Sequence, residues 1–408
     1  MSKVDELVKH LCSDGVEYKE LKDLFIIKNG YTPSKRVDSY WENGSIPWFR
    51  MEDIRANGRI LSDSLLHIAP EAVKGGRLFE ADSLIIATSA TIGEHALVTT
   101  DFLCNQRFTC LTRKKESQKE ILPKYLYYCG FLLSKWCQEN VNNGGFASVD
   151  MNKFPHYRIP VPPLEIQEEI ARELDSFAEL EAELEAELEA RKMQYVYYRD
   201  RLLTFDRKRV GYKALRNLGT FIRGRRFTLN DFVEDGIPCI HYGEIYTSYS
   251  LSARSAISHI RRELSTSLRY AKRGDLVIAA TGENVKDLCK AVAWLGDEPV
   301  AVHDDCFIYL SSLDARYLSH VFRSTAFNMQ KIKYVSEAKV CRISAENLGR
   351  IVIPVPPISE QRRIADRLDD FEKLVSETTL GLPAEIEARR RQCAFYREKL
   401  LTFKEKVA

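Results

Sequence analysis

Apolar side chains follow an alternating four-and-three spacing through the middle of this chain. The positions that keep this register are Ile170, Leu174, Phe177, Leu184, Leu188, Tyr195, Tyr198, Leu202 and Phe205. Only Glu181 and Arg191 interrupt it, and the register starts just after Pro162-Pro163. A 3.5-residue apolar period held over about five heptads is typical of a coiled coil. The pattern therefore predicts one long helix from about Leu164 to Phe205.

A second copy of this helix is expected at the C-terminal end of the chain. Its apolar positions are Ile364, Leu368, Phe371, Ile386, Cys393, Tyr396, Leu400 and Phe403. The segment Gly381-Leu382-Pro383 predicts a break, because proline suits the first turn of a new helix. In the first copy, Glu-Leu-Glu-Ala is written three times between Glu179 and Ala190, and glutamates four residues apart repel each other. We therefore expect the two helices to pair, although each could also pack on its own domain.

The repeat extends far beyond the helices. Ile159-Pro160-Val161-Pro162-Pro163 returns 194 residues later as Ile353-Pro354-Val355-Pro356-Pro357. Val16, Tyr18-Lys19, Leu21 and Leu24 return at the same offset as Val210, Tyr212-Lys213, Leu215 and Leu218. A whole half-molecule is thus duplicated, which indicates two binding surfaces. The predicted segments are a domain over 1–158, a spacer helix over 159–205, a second domain over 206–352 and a broken C-terminal spacer helix over 353–408.

Each large domain reads as mixed α and β structure, so the fold class is α+β with two tandem mixed domains. Leu84–Ala87 and Leu276–Ala279 are short apolar runs that predict buried strands. Tyr125 opens a helical apolar face that is mirrored from Tyr317. Between these shared landmarks the residues differ greatly, which favours two domains that bind different targets.

Composition places the chain among ordinary globular proteins. It has 408 residues, of which 45% are hydrophobic and 29% charged. No apolar run reaches the roughly 18 residues of a membrane span, and the start lacks the apolar core of a signal peptide. Ten cysteines occur without a C-x-x-C pair, which favours buried thiols and a reducing cytoplasm.

The net charge of +2 hides an uneven distribution along the sequence. Residues 206–352 carry 23 basic and 16 acidic side chains, whereas residues 159–205 carry 5 and 12. An acidic helix cannot follow the phosphates of DNA, because that contact requires Lys and Arg. The helix is better suited to a spacer or a protein-binding face.

Motifs of catalysis and cofactor binding are absent from the sequence. There is no G-x-G-x-x-G, phosphate-binding P-loop, H-E-x-x-H or G-x-S-x-G pattern. His303-Asp304-Asp305-Cys306 has metal-binding residue types, but it directly precedes an apolar strand and is expected to be a turn or a DNA-facing loop. We therefore predict no catalytic residue, no metal site and no cofactor in this chain.

Polar and basic loops that contain aromatic residues are the positive signal for DNA binding. Arg and Lys hold phosphates or read guanine, and Asn and Gln read adenine. The candidate DNA-binding residues are Tyr31, Lys35, Arg36, Arg50, Ser89, Thr91, Gln106, Arg107 and Asn143 in the first domain, and Arg223, Arg225, Arg226, Tyr242, Thr281, Asn284, Lys339 and Arg342 in the second.

With these features the chain resembles the specificity subunits of type I restriction-modification systems. The resemblance rests on the two Ile-Pro-Val-Pro-Pro segments with their following Gln, and on Tyr198-Arg199 with Leu202–Phe205 and their copies Tyr396-Arg397 and Leu400–Phe403. It implies two target recognition domains, each reading one half of a split, asymmetric DNA sequence. It also implies an antiparallel pair of helices that spaces the domains with pseudo-two-fold symmetry.

The resemblance further implies partners. The expected partners are double-stranded DNA, two DNA adenine methyltransferase subunits and restriction subunits, with S-adenosylmethionine, ATP and Mg needed only by those subunits. Three other interpretations remain open on the sequence: the specificity subunit of a type IIB-like system, a structural coiled-coil adaptor, and a stand-alone methyltransferase or nuclease.

Overall fold

The computed structural model describes residues 3–142, 146–336, 340–376 and 381–406. The chain forms two compact units. The first unit contains Met1–Ala182 together with Ala388–Ala408, and the second contains Glu183–Glu387. This division cuts through both long helices, so the domain boundaries given by the sequence pattern stay a prediction.

The first unit contains short strands, several helices and the first half of the long helix α5. Its strands are β1 Glu17–Glu20, β2 Phe25–Asn29, β3 Ile46–Phe49, β4 Ile60–Leu61, β5 His67–Ile68, β6 Ser83–Ala87, β7 His95–Val98, β8 Leu103–Cys104, β9 Phe108–Arg113, β10 Val141–Asn142, β11 Ser148–Val149 and β12 Arg158–Val161. The helices that begin in this unit are α1 Lys3–Leu11, α2 Leu21–Leu24, α3 Met51–Asn57, α4 Pro123–Glu139 and α5 Leu164–Leu202.

The second unit has the same kinds of element. Its strands are β13 Gly211–Ala214, β14 Gly219–Arg223, β15 Phe232–Val233, β16 Ile237–Ile240, β17 Ser252–Ala253, β18 Ser258–Ile260, β19 Tyr270–Ala271, β20 Leu276–Ala279, β21 Thr281–Gly282, β22 Ala291–Trp294, β23 Val300–Val302, β24 Cys306–Ser311, β25 Cys341–Arg342 and β26 Val352–Val355. Its helices are α6 Tyr242–Thr247, α7 Ala315–Arg323, α8 Thr325–Lys331, α9 Ala345–Gly349 and α10 Ile358–Ser376, followed by α11 Leu382–Leu400, which continues into the first unit.

The two units share one sheet topology. The main sheet has the order β2-β9-β6-β7-β4 in the first unit and β14-β24-β20-β22-β17 in the second. In each, the last pair is parallel and the other pairs are antiparallel. A second sheet repeats the pairing β5-β3-β8 as β18-β16-β23, with β15 and β19 added at its edges. The predicted duplication is confirmed as one mixed α and β architecture built twice.

The predicted buried strands form the centre of each core. Every side chain of β6 and of β20 is buried. Leu84 and Ile86 pack with Leu126 and Leu133 of α4, while Leu276 and Ile278 pack with Leu318 and Val321 of α7, which fills the corresponding place. Burial of these aliphatic groups supplies the main stabilising free energy of each unit.

The repeated Ile-Pro-Val-Pro-Pro segments are short strands that close each unit. Tyr18 lies opposite Pro160 in the pair β1–β12, and Tyr212 lies opposite Pro354 in β13–β26. Proline is tolerated there because a two-stranded ladder leaves one edge of each strand without a partner. The glutamine that follows each segment, Gln167 or Gln361, is buried at the start of the long helix.

The long helices confirm the predicted continuity of the first and the break in the second. α5 runs unbroken for 39 residues. The second helix ends at Ser376 and starts again at Leu382, after Gly381, whose φ of +89° is the left-handed conformation that glycine favours. None of the helices in the described ranges has the length and apolar character needed to cross a lipid bilayer.

The C-terminal segment completes the first unit. The Val16 N–H donates to the Lys404 carbonyl at 2.9 Å, and the Lys406 N–H donates to the Val16 carbonyl at 2.9 Å. The Tyr18 hydroxyl exchanges two hydrogen bonds of 3.2 Å with the backbone of Phe403. Tyr212 makes the same pair with Phe205 at 3.1 and 3.2 Å, but there the two residues are only seven apart.

A buried histidine in β7 makes the first unit sensitive to acid. Burial, with help from the nearby Arg59 guanidinium, lowers the pKa of His95 from 6.5 to about 3. The folded state therefore keeps the imidazole neutral, and stability present above pH 6.5 is lost as the pH falls towards 3. Between pH 6.5 and pH 3 we expect the free energy of unfolding to drop by about 1.4 kcal/mol for each unit of pH. Urea unfolding at pH 7.5 and 5.5 measures the slope.

His95→Gln removes this titration and should flatten the pH dependence of unfolding relative to the parent. The exposed His10 gives the matched control, since His10→Gln should leave the slope unchanged. An equal slope in the parent and in His95→Gln would contradict the assignment.

Candidate nucleic-acid interface

A tightly held loop leaves the first strand of each main sheet. The Tyr31 N–H donates to the Cys104 carbonyl at 2.8 Å, and the Arg225 N–H donates to the Val302 carbonyl at 2.9 Å. The residue before each is glycine, and a Cβ at Gly30 or Gly224 would lie 2.2 or 2.1 Å from a carbonyl oxygen. Only glycine allows this close approach, so loops 30–37 and 224–231 start from equivalent places.

A turn before the strand β9 or β24 lies against this loop. The turn is 105–107 in the first unit and 303–305 in the second. The Thr88 N–H donates to the Arg107 carbonyl at 2.9 Å, and the Ala280 N–H donates to the Asp305 carbonyl at 2.9 Å. These bonds bring the turn beside the segment that follows β6 or β20. The predicted turn at His303–Asp305 is confirmed.

A third segment joins the same end of each sheet. Ser148 bridges to Ser89 in the first unit, and Arg342 pairs with Thr281 in the second. We call the resulting surfaces the first loop face, made of 30–37, 88–94, 105–107, 141–142 and 146–149, and the second loop face, made of 224–231, 280–288, 303–305, 336 and 340–343. Residues 143–145 and 337–339 lie outside the described part, so Asn143 and Lys339 do too.

Most of the candidate residues in the first unit lie on or next to its loop face. Lys35, Arg36, Gln106 and Arg107 are exposed there, and the Gln106 amide bonds to the Thr32 hydroxyl. Ser89 and Thr91 are half-buried beside them. The other two candidates, Tyr31 and Arg50, make additional contacts within the protein.

Tyr31 and Arg50 support the surface as well as border it. The Tyr31 hydroxyl accepts a 2.7 Å hydrogen bond from the Lys74 N–H and donates to the Ala72 carbonyl at 3.2 Å. The Arg50 guanidinium lies 5.7 Å from the Trp48 ring centroid, and the Asn105 N–H donates to the Phe49 carbonyl, which places Arg50 near the turn. Both side chains therefore already make contacts within the protein.

Three candidate residues of the second unit line one cavity. Arg223, Thr281 and Arg342 border a volume of about 590 Å³ that also contacts Tyr334 and Asn347. The Arg223 guanidinium donates to the Asp304 carbonyl at 2.7 Å, and the Thr281 hydroxyl donates to Asp305 at 3.1 Å. Arg225 and Arg226 are exposed on the adjoining loop.

Tyr242 and Asn284 are less available to a ligand. Tyr242 is half-buried on α6, with its ring centroid 6.1 Å from that of Tyr246. The Asn284 side chain makes two hydrogen bonds to Asp287, of 2.8 and 3.0 Å. Asn284 nevertheless remains exposed on the second loop face.

The cations of the two loop faces lack carboxylate partners. Across the ranges the structure describes, no ion pair holds any of the side chains Lys35, Arg36, Arg107, Arg225, Arg226 and Arg342. An uncompensated, solvated cation is free to replace a counterion on a phosphate, which is the main source of affinity for DNA. These six side chains are therefore available to contact phosphates.

The group His303, Asp304 and Asp305 already uses much of its bonding capacity. Its potential ligand atoms lie within 4.8 Å of one another, the one such group of three in the described residues. The His303 Nε2 is 3.1 Å from the Phe227 carbonyl, and Asp305 accepts from Thr281. These bonds stabilise the turn, and we assign no metal to it.

Two buried carboxylates accept hydrogen bonds next to the short helices α3 and α6. Asp53 accepts hydrogen bonds of 2.6 Å from the N–H groups of Arg50 and Leu65. Glu244 accepts from the His241 N–H at 3.3 Å and from the Ser258 hydroxyl at 2.5 Å. Each fixes the start of a short helix, α3 or α6, directly after β3 or β16.

The predicted helix positions differ in burial. Ile170, Leu174, Tyr195, Ile364, Leu368, Ile386 and Leu400 are buried, whereas Phe177, Leu184, Leu188, Leu202, Phe371 and Tyr396 are half-buried and Tyr198 is 37% exposed. Ile170 and Leu174 pack with Tyr125 of α4 and also with Leu400 of α11. These two positions of α5 therefore pack both on α4 and on α11, while pairing along the whole length of the helices stays a prediction.

The chain is similar to known proteins over most of its length. The model of the type I restriction modification DNA specificity domain matches twice, over residues 13–190 and 211–388. The chain is 37% identical to the type I restriction enzyme EcoprrI specificity subunit of Escherichia coli, over 93% of each chain. It is 30% identical to the EcoR124I/EcoR124II specificity subunit of Escherichia coli, over 74% of this chain and 76% of that protein.

A solved structure described as showing complex assembly and conformational transition of the type I R-M system has the same fold. It gives a TM-score of 0.66 at 14% identity, and covers 96% of this chain and 98% of that one. The two domain matches coincide with the two units of duplicated sheet topology, and the resemblance read from the sequence is confirmed. The chain belongs to the family of type I restriction-modification DNA specificity subunits.

Proposed function

We propose that this chain is a non-catalytic subunit that recognises a bipartite, asymmetric DNA site, one half through each loop face. The observation that carries the proposal is one sheet topology built twice with different side chains at matched places. Turn 105–107 presents Asn-Gln-Arg, while turn 303–305 presents His-Asp-Asp. Asn, Gln and Arg suit the acceptor groups of purines, whereas Asp accepts from the cytosine amino group. Different half-sites follow from this difference.

The long helices support a second part of the proposal, an antiparallel coiled coil. In the first unit the Phe177 and Tyr396 rings stack at 5.2 Å, and Glu181 pairs with Arg390 at 2.7 Å. Later residues of α5 thus contact earlier residues of α11, as expected for antiparallel helices. In the second unit the Tyr198 ring of α5 lies 5.6 Å from the Phe371 ring of α10. Such pairing would let α5 fix the distance between two half-sites.

The helices would also bind the catalytic partners. We infer two DNA adenine methyltransferase subunits, one for each copy of the helical repeat, and restriction subunits that join them. S-adenosylmethionine, ATP and Mg would belong to these partners. The absence of catalytic motifs from the sequence and the name of the subunit class to which the relatives belong support this division of roles.

Adenine-methylation mapping tests the proposal directly. In cells that contain the methyltransferase partner, this chain should produce a split motif with a fixed gap. Replacing residues 206–352 by the corresponding domain of a relative should change one half of the motif only. The matched control replaces residues 1–158 and should change the other half only. A motif without a gap, or one that changes in both halves, would contradict the proposal.

A further inference from the structure

The two most exposed large apolar side chains in the described ranges are Phe146 and Leu229. Phe146 is 94% exposed and Leu229 is 89% exposed, and the next, Met193 on α5, is 73% exposed. Each belongs to a different loop face. An exposed apolar side chain is common by itself, so what distinguishes these two is the anchored, cation-bearing loop face on which each lies.

Phe146 lies two residues before β11, which is anchored to its neighbours. Val141 pairs with Val149 in β10–β11, and the Val149 N–H donates to the Thr88 carbonyl at 2.9 Å. The Asp150 N–H donates to the Asn140 carbonyl at 3.0 Å. The main sheet thus supports β11, while the phenyl ring is in solvent.

Leu229 stands on an equally well-anchored turn. It begins the single 3₁₀ turn Leu229–Asp231, in which the Thr228 N–H and hydroxyl donate to Asp231 at 2.6 and 2.8 Å. Arg261 forms an ion pair with the same carboxylate. On the other side of the turn, Phe227 is buried, with its ring centroid 4.7 Å from that of His303. The turn is therefore anchored by these contacts, while the Leu229 side chain lies in solvent.

The chemistry around both side chains indicates which partner they fit. Arg107 shares the first loop face with Phe146, and Arg225 and Arg226 precede Leu229 in the second, all without a carboxylate partner in the described residues. Cations of this kind bind phosphates, whereas an apolar wedge of Phe or Leu inserts between neighbouring bases and kinks the duplex. A protein partner would leave several of these cations unpaired at the interface.

We propose that Phe146 and Leu229 each insert into a base step of bound duplex DNA, one in each half-site, and unstack it. The inference rests on the proposed function, since it places both residues at the DNA. It adds a physical source of selectivity, because pyrimidine–purine steps are the easiest to unstack. Each half-site should therefore contain such a step at a fixed position.

The test uses the chain assembled with its methyltransferase partner and duplexes that contain the mapped site. 2-Aminopurine, whose fluorescence rises when it is unstacked, is placed at each position in turn except the methylated adenine, which a methyltransferase itself flips out. The parent complex should give one bright step in each half-site. Phe146→Ala should abolish the signal in the half read by the first unit only and weaken binding about tenfold. Leu229→Asn should do the same in the other half.

Conservative and matched variants separate insertion from loss of folding. Phe146→Leu and Leu229→Met keep a wedge and should keep the fluorescence. Ile60→Ala on β4 and Leu310→Ala, at the end of β24 remote from turn 303–305, shorten exposed apolar side chains away from the loop faces and should change nothing. Unchanged fluorescence in Phe146→Ala and Leu229→Asn, with the split motif intact, would overturn the wedge but leave the proposed function standing. Loss of the split motif in the parent would overturn the proposed function itself.

Discussion

Deleting one Glu-Leu-Glu-Ala tetrad from α5 is expected to move the two recognised half-sites closer by one or two base pairs. Four helical residues span about 6 Å, and DNA rises about 3.4 Å per base pair. With the half-sites out of register, methylation of the parental sites should fall by about two orders of magnitude, since each lost base-pair match costs about 1–3 kcal/mol. Genome-wide adenine-methylation mapping measures both the new gap and the loss.

The control for this experiment keeps the length of α5 and changes its charge. Glu183→Gln with Glu187→Gln alters the exposed face of the same repeats without removing a residue. This variant should methylate the parental motif with its parental gap. If the tetrad deletion also left the gap unchanged, α5 would not set the spacing.

Replacing Gln167 is expected to produce the largest loss of stability of any single change discussed. Its fully buried amide accepts from the Leu122 N–H at 3.0 Å and donates to the Glu120 and Pro162 carbonyls at 2.6 and 2.7 Å. Gln167→Leu leaves one buried and two partly buried backbone groups without this partner, and an unsatisfied buried group costs about 1–3 kcal/mol. We expect about 3 kcal/mol or more of lost unfolding free energy, measured by urea unfolding.

The repeat supplies a graded comparison for this variant. Gln361 has the same place in the second unit, where its bonds within the described residues are two, to the Asp314 N–H at 2.9 Å and to the Pro356 carbonyl at 2.8 Å. Gln361→Leu should therefore cost less than Gln167→Leu, and the exposed Gln118→Leu should cost almost nothing. Equal losses for Gln167 and Gln118 would show that the buried hydrogen bonds are unimportant.

The sequence predicted the elements whose signals are local. The apolar runs at Leu84–Ala87 and Leu276–Ala279 are buried strands, and the break at Gly381 falls where a positive φ requires glycine. Periodicity and turn chemistry report on nearby residues, so they identify such elements well.

The candidate interface was harder to predict, because the availability of a side chain depends on distant neighbours. Tyr31 is engaged by Lys74, 43 residues away, and Thr281 by Asp305. Conversely, Phe146 and Leu229 stand out because they are the most exposed large apolar side chains in the described part of the fold. The one sequence signal for them is an isolated apolar residue within a polar loop, which is too common to single out a site.

The division of the chain between its units has a consequence for how the protein is made. The second unit is contiguous, whereas the first needs Lys404 and Lys406 to bond with Val16, nearly the whole length of the chain apart. Domains usually fold in order as they leave the ribosome. Here the unit whose synthesis begins first is completed only once residues 404–406 have been made, after the second unit. A chain terminated before residue 404 would carry a complete second unit beside a first unit that lacks these bonds to Val16.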